Sequence, residues 1–198
     1  MIHFNNLSNE APYILFKEIY DKAAAAAQNN IQAISIASYN TKANEVDSRY
    51  VNLKFVENKK FIFFSNYSSP KSKAFKTHNQ VASLIYWDSI NVQIRMKSKI
   101  ARTNDNYNQA YFAKRDVKKN ALAISSQQSK YISSYNAVKE EYERVLNDGN
   151  LSQCPDFWGG FFFIPYYFEF WEGHESRINK REIFNITDGE WKHSFLQP

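Results

Sequence analysis

Residues 157–181 read FWGGFFFIPYYFEFWEGHESRINKR, and the fold turns on how this stretch is understood. Phe157, Trp158, Gly159 and Gly160 lead into an aromatic strand over 161–170, followed by Trp171, Glu172 and Gly173 and then by Arg177, Asn179 and Arg181. The chain has only five glycines and four tryptophans. Three of the glycines and two of the tryptophans fall within 158–173, a concentration that composition alone does not explain. Glycine permits a sharp turn or the close approach of backbone to a flat ligand. If 177–181 is strand, Arg177 and Asn179 share a face, and planar aromatics and fixed positive charges can converge on one anionic ligand. A packed antiparallel strand with a solvated basic end accounts for the same residues equally well.

The rest of the chain supplies partners for such a strand. A short strand is expected over 32–38 and a second over 49–56, with Arg49, Val51, Leu53 and Phe55 on one face and Tyr50, Asn52 and Lys54 on the other. The polar segment 39–47 reads as a turn between them. Asn58, Lys59 and Lys60 make a hairpin turn into a buried strand over 61–65. A fourth strand is expected over 81–87. In a fifth, over 91–101, Val92, Ile94, Met96 and Ile100 face inward while Gln93, Arg95, Lys97 and Lys99 face out. Helices are expected over 10–29, from Pro70 to about His78, over 104–115 and over 135–146. Residues 114–119 form a basic cluster and 125–134 a Ser/Gln-rich loop, and strands at 183–186 and 191–196, hinged on Asp188 and Gly189, form a closing hairpin. Many short strands with tight connections make the fold class mainly β with flanking helices, an antiparallel barrel. Residues 1–198 are expected to form one domain, with 1–30 as an N-terminal helical extension.

Lys and Arg (25) outnumber Asp and Glu (20), which favours anionic partners without choosing among them. No glycine precedes Gly149, so a Gly-rich dinucleotide turn and a P-loop are both excluded from the first three quarters of the chain. The four histidines, His3, His78, His174 and His193, show no metal-ligand spacing with each other or with Cys154, so no metal site is expected. A lone cysteine permits no intrachain disulfide and suits a reducing compartment. With no signal-like or membrane-spanning segment, a cytoplasmic location is expected. Two classes of function remain: a barrel stacking single-stranded nucleic acid on aromatics along a positive groove, and a pocket for a flat phosphorylated cofactor or metabolite. Most aromatics alternate as core residues and the basic groups are scattered, which favours the pocket, with no nucleic acid or membrane partner. The start of the helix at Pro70, with Ser68, Ser69 and Lys71, is suited to a phosphate.

In order and spacing, several segments together resemble the pyridoxine (pyridoxamine) 5′-phosphate oxidase family. They are Arg49 to Lys54, Phe63 to Asn66 with Ser69 and Lys71, Gln93, Tyr111 and Phe112 with Arg115, Gln128 with Ser129, and 157–181. The resemblance covers roughly residues 33–198. It implies an FMN-binding split β-barrel, a homodimer with the flavin at the subunit interface, and oxidation of pyridoxine or pyridoxamine 5′-phosphate to pyridoxal 5′-phosphate by oxygen. An FMN oxidase of the same fold acting on another aromatic metabolite, as in phenazine-type biosynthesis, is the alternative, and a flavin- or pyridoxal-phosphate-binding protein with little turnover is a third reading.

Carried over by position, the resemblance implies FMN contacts at Arg49, Lys54, Phe64, Ser65, Lys71, Gln93, Gln128, Ser129, Trp171 and Arg181. It implies a substrate site of Lys54, Tyr111, Arg115, Lys119, Arg177 and Asn179, with Arg177 and Asn179 as the catalytic pair over the substrate ring. Four positions depart from the family pattern: Pro70 stands where a second basic residue precedes the lysine of the phosphate loop, Lys119 replaces a serine, Asn179 replaces a histidine, and Phe64 replaces a tyrosine. Because Asn179 cannot change charge near neutral pH as histidine does, FMN affinity is expected to be ordinary and oxidation of pyridoxine phosphate slow.

Overall fold

The computed structural model describes residues 1–198, the Asp148 side chain excepted. In chain order its elements are β1 (His3–Asn5), α1 (Ala11–Ala25), β2 (Ala33–Asn40), β3 (Glu45–Glu57), β4 (Lys60–Asn66), α2 (Pro70–Thr77), β5 (Gln80–Trp87), β6 (Val92–Arg102), α3 (Asp105–Ala113), α4 (Val117–Ser125), α5 (Tyr135–Asp148), β7 (Trp158–Glu172), β8 (Lys180–Thr187) and β9 (Glu190–Phe195). All the strands join one sheet in the order β1-β3-β2-β5-β6-β7-β8-β9, and β4 bridges β3 and β7. That bridge closes a ring, so the expected antiparallel split barrel is what forms.

The aromatic strand is the seam. Along 158–163, β7 pairs with β4, and from Tyr167 onward it pairs with β8 instead, while β6 runs beside it almost throughout. Pro165, which has no N–H to give the ladder, sits where the β6 register shifts between Lys97 and Ser98. Inside the ring the period-2 pattern holds: Val92, Ile94, Met96 and Ile100 are buried, as expected from the sequence. Tyr13, Phe16 and Tyr20 of α1 plug one end against Phe61, Phe168 and Trp87. The segment expected as an N-terminal helical extension thus contributes to the same core. Glu10, at the start of α1, is fixed by ion pairing with Lys59 and by the Trp191 indole N–H at 3.0 Å.

Several boundaries differ from expectation, each for a local reason. Segment 39–47 is mostly strand: β2 and β3 stay paired to Asn40 and Glu45, and the turn is only 41–44. Asn40 Oδ1 accepts the N–H groups of Lys42 and Ala43, and Asn44 takes φ 55°. A bulge between Leu53 and Phe55 breaks the face expected for 49–56, burying Val56 and bringing Phe55 against Phe64 and Tyr111. α1 stops at Ala25, because Ala27 adopts φ 54° and Gln28 N–H returns to Ala23 O. The basic cluster 114–119 conceals the start of α4, whose N-cap Asp116 accepts the N–H groups of Lys118 and Lys119. β1 was not expected at all. It is short and gains its place by parallel pairing with β3. Among the described residues no helix is long and apolar enough to cross a membrane.

Candidate functional site

Strands β3 and β4, the start of α2, the end of α3 and the loop after α4 wall a cavity of about 470 Å³. Arg49 and Lys71 line it together, near enough for the charge of one to act on the other. Arg49 donates to Ile36 O at 3.1 Å and Ser38 Oγ at 2.8 Å and is ion-paired with Asp47, so its guanidinium is held in place. Lys71 is only 8% exposed, and its Nζ donates to Ser69 Oγ and Gln128 Oε1, both at 3.2 Å. Burial pushes the Lys71 pKa down to about 8, with Arg49 adding to the shift and Asp47 opposing it. Ser65 Oγ donates to the same Gln128 oxygen at 3.2 Å. Pro70 begins α2 with its fixed φ. The N-cap Ser69 spends its hydroxyl on Asn66 O rather than on the first-turn N–H groups. A buried ammonium and a held guanidinium facing one cavity are the donor set of a phosphate site.

Lys54, Tyr111 and Arg115 line the same cavity as a second group of neighbours. Burial lowers the Lys54 pKa, and the charges of Lys119 and Arg115 lower it further. Lys119 does not line the wall, yet its charge reaches Lys54 from the first turn of α4. Arg115 lies over the Trp158 ring at 4.8 Å. Tyr111 stacks on Phe64, ring centroids 3.9 Å apart and planes 15° from parallel. Burial raises the Tyr111 pKa while Arg115 opposes the rise.

Five of the predicted residues lie elsewhere. Gln93, Trp171 and Arg181 are cross-strand partners on β6, β7 and β8, forming one row on the outer face of the sheet. Arg177 and Asn179 do not alternate on a strand, since β8 begins only at Lys180. They sit in the preceding loop, with Arg177 at φ 61°. None of the five lines the cavity within one chain. Next to the row, Tyr50, Leu84 and Tyr86 are exposed on the same outer face.

Two residues of consequence were not foreseen. Asp47 anchors Arg49 from two positions away on the same face of β3. Glu169, 3% exposed, is ion-paired to Arg95 and to Arg181 and accepts from Tyr167 Oη at 2.8 Å. Burial works against its charge, but the bonds from Arg181 and Tyr167 and the two guanidinium charges outweigh it and hold its pKa below the ordinary value. The visible signal was a lone acid among the aromatics of 166–171, two residues from Trp171. The paired glycines also have a different purpose from the expected approach to a flat ligand. A side chain on Gly159 would overlap Tyr67 Oη and Asn108, and one on Gly160 would meet Thr103. Asn108 Oδ1 accepts the Gly160 N–H at 2.8 Å, and its Nδ2 donates to Tyr67 Oη at 3.0 Å, tying α3 to β7.

Residues 158–198 match the family described as the pyridoxine 5′-phosphate oxidase C-terminal dimerisation region. The pyridoxine/pyridoxamine 5′-phosphate oxidase of Vesicomyosocius okutanii is 30% identical over 192 residues, which cover 96% of this chain and 90% of that one. The chloroplastic pyridoxine/pyridoxamine 5′-phosphate oxidase 1 of Arabidopsis thaliana is 31% identical over 194 residues and 94% of this chain, which spans 36% of that longer protein. PhzG from Burkholderia lata, solved with tetrahydrophenazine-1-carboxylic acid, superposes with a TM-score of 0.89 at 22% identity over 94% of this chain and 92% of its own. A pyridoxamine 5′-phosphate oxidase-related, FMN-binding protein from Nostoc punctiforme superposes at 0.78 with 13% identity, over 96% of this chain and 100% of its own. The two structures share the fold. On the length and level of its sequence identity to the oxidases, the chain belongs to the pyridoxine/pyridoxamine 5′-phosphate oxidase family of flavin-dependent oxidoreductases.

Proposed function

We propose that this protein is an FMN-dependent oxidase converting pyridoxine or pyridoxamine 5′-phosphate to pyridoxal 5′-phosphate with oxygen as acceptor, and that residues 1–198 act as one domain within a homodimer. The observation that carries this reading is one cavity lined by two sets of cations, Arg49 with Lys71 and Lys54 with Arg115 and nearby Lys119. Two cation groups in one cavity suit two phosphates, one on the cofactor and one on the substrate.

Arg49, Lys71, Ser65, Gln128 and Ser129 would hold the FMN phosphate and ribityl chain, with Phe64 on the cavity wall beside them. Gln93, Trp171 and Arg181 would reach the same cofactor from the second protomer, because within one chain they form a separate row and do not line the cavity. Pairing of the two outer faces would also cover Tyr50, Leu84 and Tyr86. Lys54, Tyr111, Arg115 and Lys119 would fix the substrate phosphate, and Arg177, steadied by Asn179, would lie over its ring and favour the ionised phenolate. Bound FMN supplies the two-electron acceptor for hydride leaving the carbon beside the ring.

Lys119 bears on the choice of substrate. Three cations around one anion subsite suit a phosphate dianion better than the single carboxylate of a phenazine-type acid. Asn179 favours the second reading, an oxidase for another aromatic metabolite, since it offers no titratable group beside the ring. The test is anaerobic single-turnover reduction of the FMN-reconstituted protein, comparing pyridoxine phosphate, pyridoxamine phosphate and an aromatic carboxylate. Reduction by a vitamer phosphate supports the proposal. Reduction by the carboxylate alone would transfer it to the second reading, and failure to retain FMN after desalting would end both.

A further inference from the structure

The loop between β7 and β8 carries an exposed arginine in an unfavourable backbone conformation, and the surrounding hydrogen bonds show what keeps it there. Arg177 has φ 61°, in the left-handed region that a non-glycine residue keeps only when its surroundings impose it. Its N–H donates to His174 O at 2.9 Å, and Ser176 N–H donates to His174 Nδ1 at 3.1 Å. The turn is closed from the far side by Asn179, whose Oδ1 accepts the His174 N–H at 3.0 Å. The near side is also pinned: Gly173 N–H donates to Asn91 O at 3.0 Å, and the absent side chain of Gly173 leaves the space that Asn91 fills. Asn91 itself is held by Tyr86 Oη at 3.1 Å. His174 is therefore gripped through its N–H, its carbonyl and its ring, and Arg177 hangs from that grip.

We infer that Asn179 is a positioning residue, whose carboxamide oxygen locks the 174–179 loop and so sets where Arg177 is presented. This rests on the proposed role of Arg177 against the substrate ring. The chemistry asked of position 179 is acceptance of one backbone hydrogen bond, with no proton transfer. Asp and His can each place an acceptor near the same point, whereas Ala cannot.

The experiment uses the full-length protein in two arms. In the first, without FMN, amide exchange of the 173–176 segment is compared between wild type and Asn179→Ala. Loss of the closing bond should speed it about tenfold, and unchanged exchange would overturn the inference. In the second, the KM for pyridoxine phosphate on FMN-loaded enzyme should rise about tenfold in Asn179→Ala with kcat nearly unchanged, and Asn179→Asp and Asn179→His should restore it. A His variant that raises kcat about tenfold with KM unchanged would replace positioning by a proton-transfer role. Arg177→Ala separates the layers. If it raises KM while Asn179→Ala does not, the inference alone fails, whereas if Arg177→Ala changes nothing, the reading of the site beneath it fails too.

Discussion

Lys71 should make the FMN-free protein less stable than it would be without that lysine, by an amount that depends on pH. In the folded chain its pKa falls from 10.5 to about 8 because the ammonium is buried. At roughly 1.4 kcal/mol per unit, the shift corresponds to about 3 kcal/mol held against the folded state while the group is protonated in the unfolded chain. The sign follows from proton counting. Between about pH 8 and pH 10.5 the unfolded chain keeps a proton that the folded chain has released, so the contribution to stability rises with pH across that window. From about pH 7.5 to about pH 9.5 it should recover about 2 kcal/mol. Cys154 runs the other way, since burial raises its thiol to about 11, so the contribution must be read as a difference between two proteins that both retain Cys154. Urea unfolding of FMN-free wild type and Lys71→Met at both pH values provides it. The methionine variant should be the more stable by about 3 kcal/mol near pH 7.5 and by about 1 kcal/mol near pH 9.5, less whatever the lost bonds to Ser69 and Gln128 contribute. FMN should reverse the order, because a phosphate restores the charged form of Lys71, and calorimetry near pH 8.5 should show net proton uptake on binding. A stability difference independent of pH, or undiminished FMN affinity in Lys71→Met, would refute the reasoning.

Two further outcomes follow from the packing. Glu169→Gln should lower stability by about 2–3 kcal/mol and release Arg181, weakening FMN retention, because Arg95 and Arg181 lose a shared carboxylate that is 3% exposed. Urea midpoints and flavin fluorescence after dilution would show both effects, and an unchanged midpoint would contradict the role given to Glu169. Gly159→Ala should cost about 1–3 kcal/mol, since the new methyl must displace Tyr67 and Asn108, and thermal unfolding of the variant would reveal it.

The sequence disclosed the barrel because its strands alternate clearly. Val92, Ile94 and Met96 on β6 could face only one way, and Phe161, Phe163, Phe168 and Phe170 of β7 are buried in the same core. The cavity residues were legible as a set through the family resemblance, since only those of β3, β4 and the start of α2 are close in the chain, while Tyr111, Arg115, Gln128 and Ser129 come from segments far along it. The separate row of Gln93, Trp171 and Arg181 was not legible from alternation alone. That Gln93, Trp171 and Arg181 line up depends on strand register, which single strands do not encode. Asp47 and Glu169 escaped notice for a related reason: an acid is recognised as a counter-ion only once its arginine is known to lie beside it. α4 was missed because a basic cluster reads as solvated surface, although Asp116 was a visible N-cap.

β7 has three different neighbours along its length, and this imposes an order on synthesis. Phe61 of β4 pairs with Phe163, a partner about one hundred residues later, and Ile94 of β6 waits for Phe170. At about 5–20 residues per second the nascent chain spends several seconds with the β4 and β6 edges open, exposing strands whose inward faces are phenylalanine, isoleucine and methionine. Such edges invite pairing with other chains, and long-range closure of this kind is slow. Synthesis must therefore run through β7 before the barrel can close, so any chain released before residue 172 would leave these edges unpaired and become a substrate for chaperones or proteases.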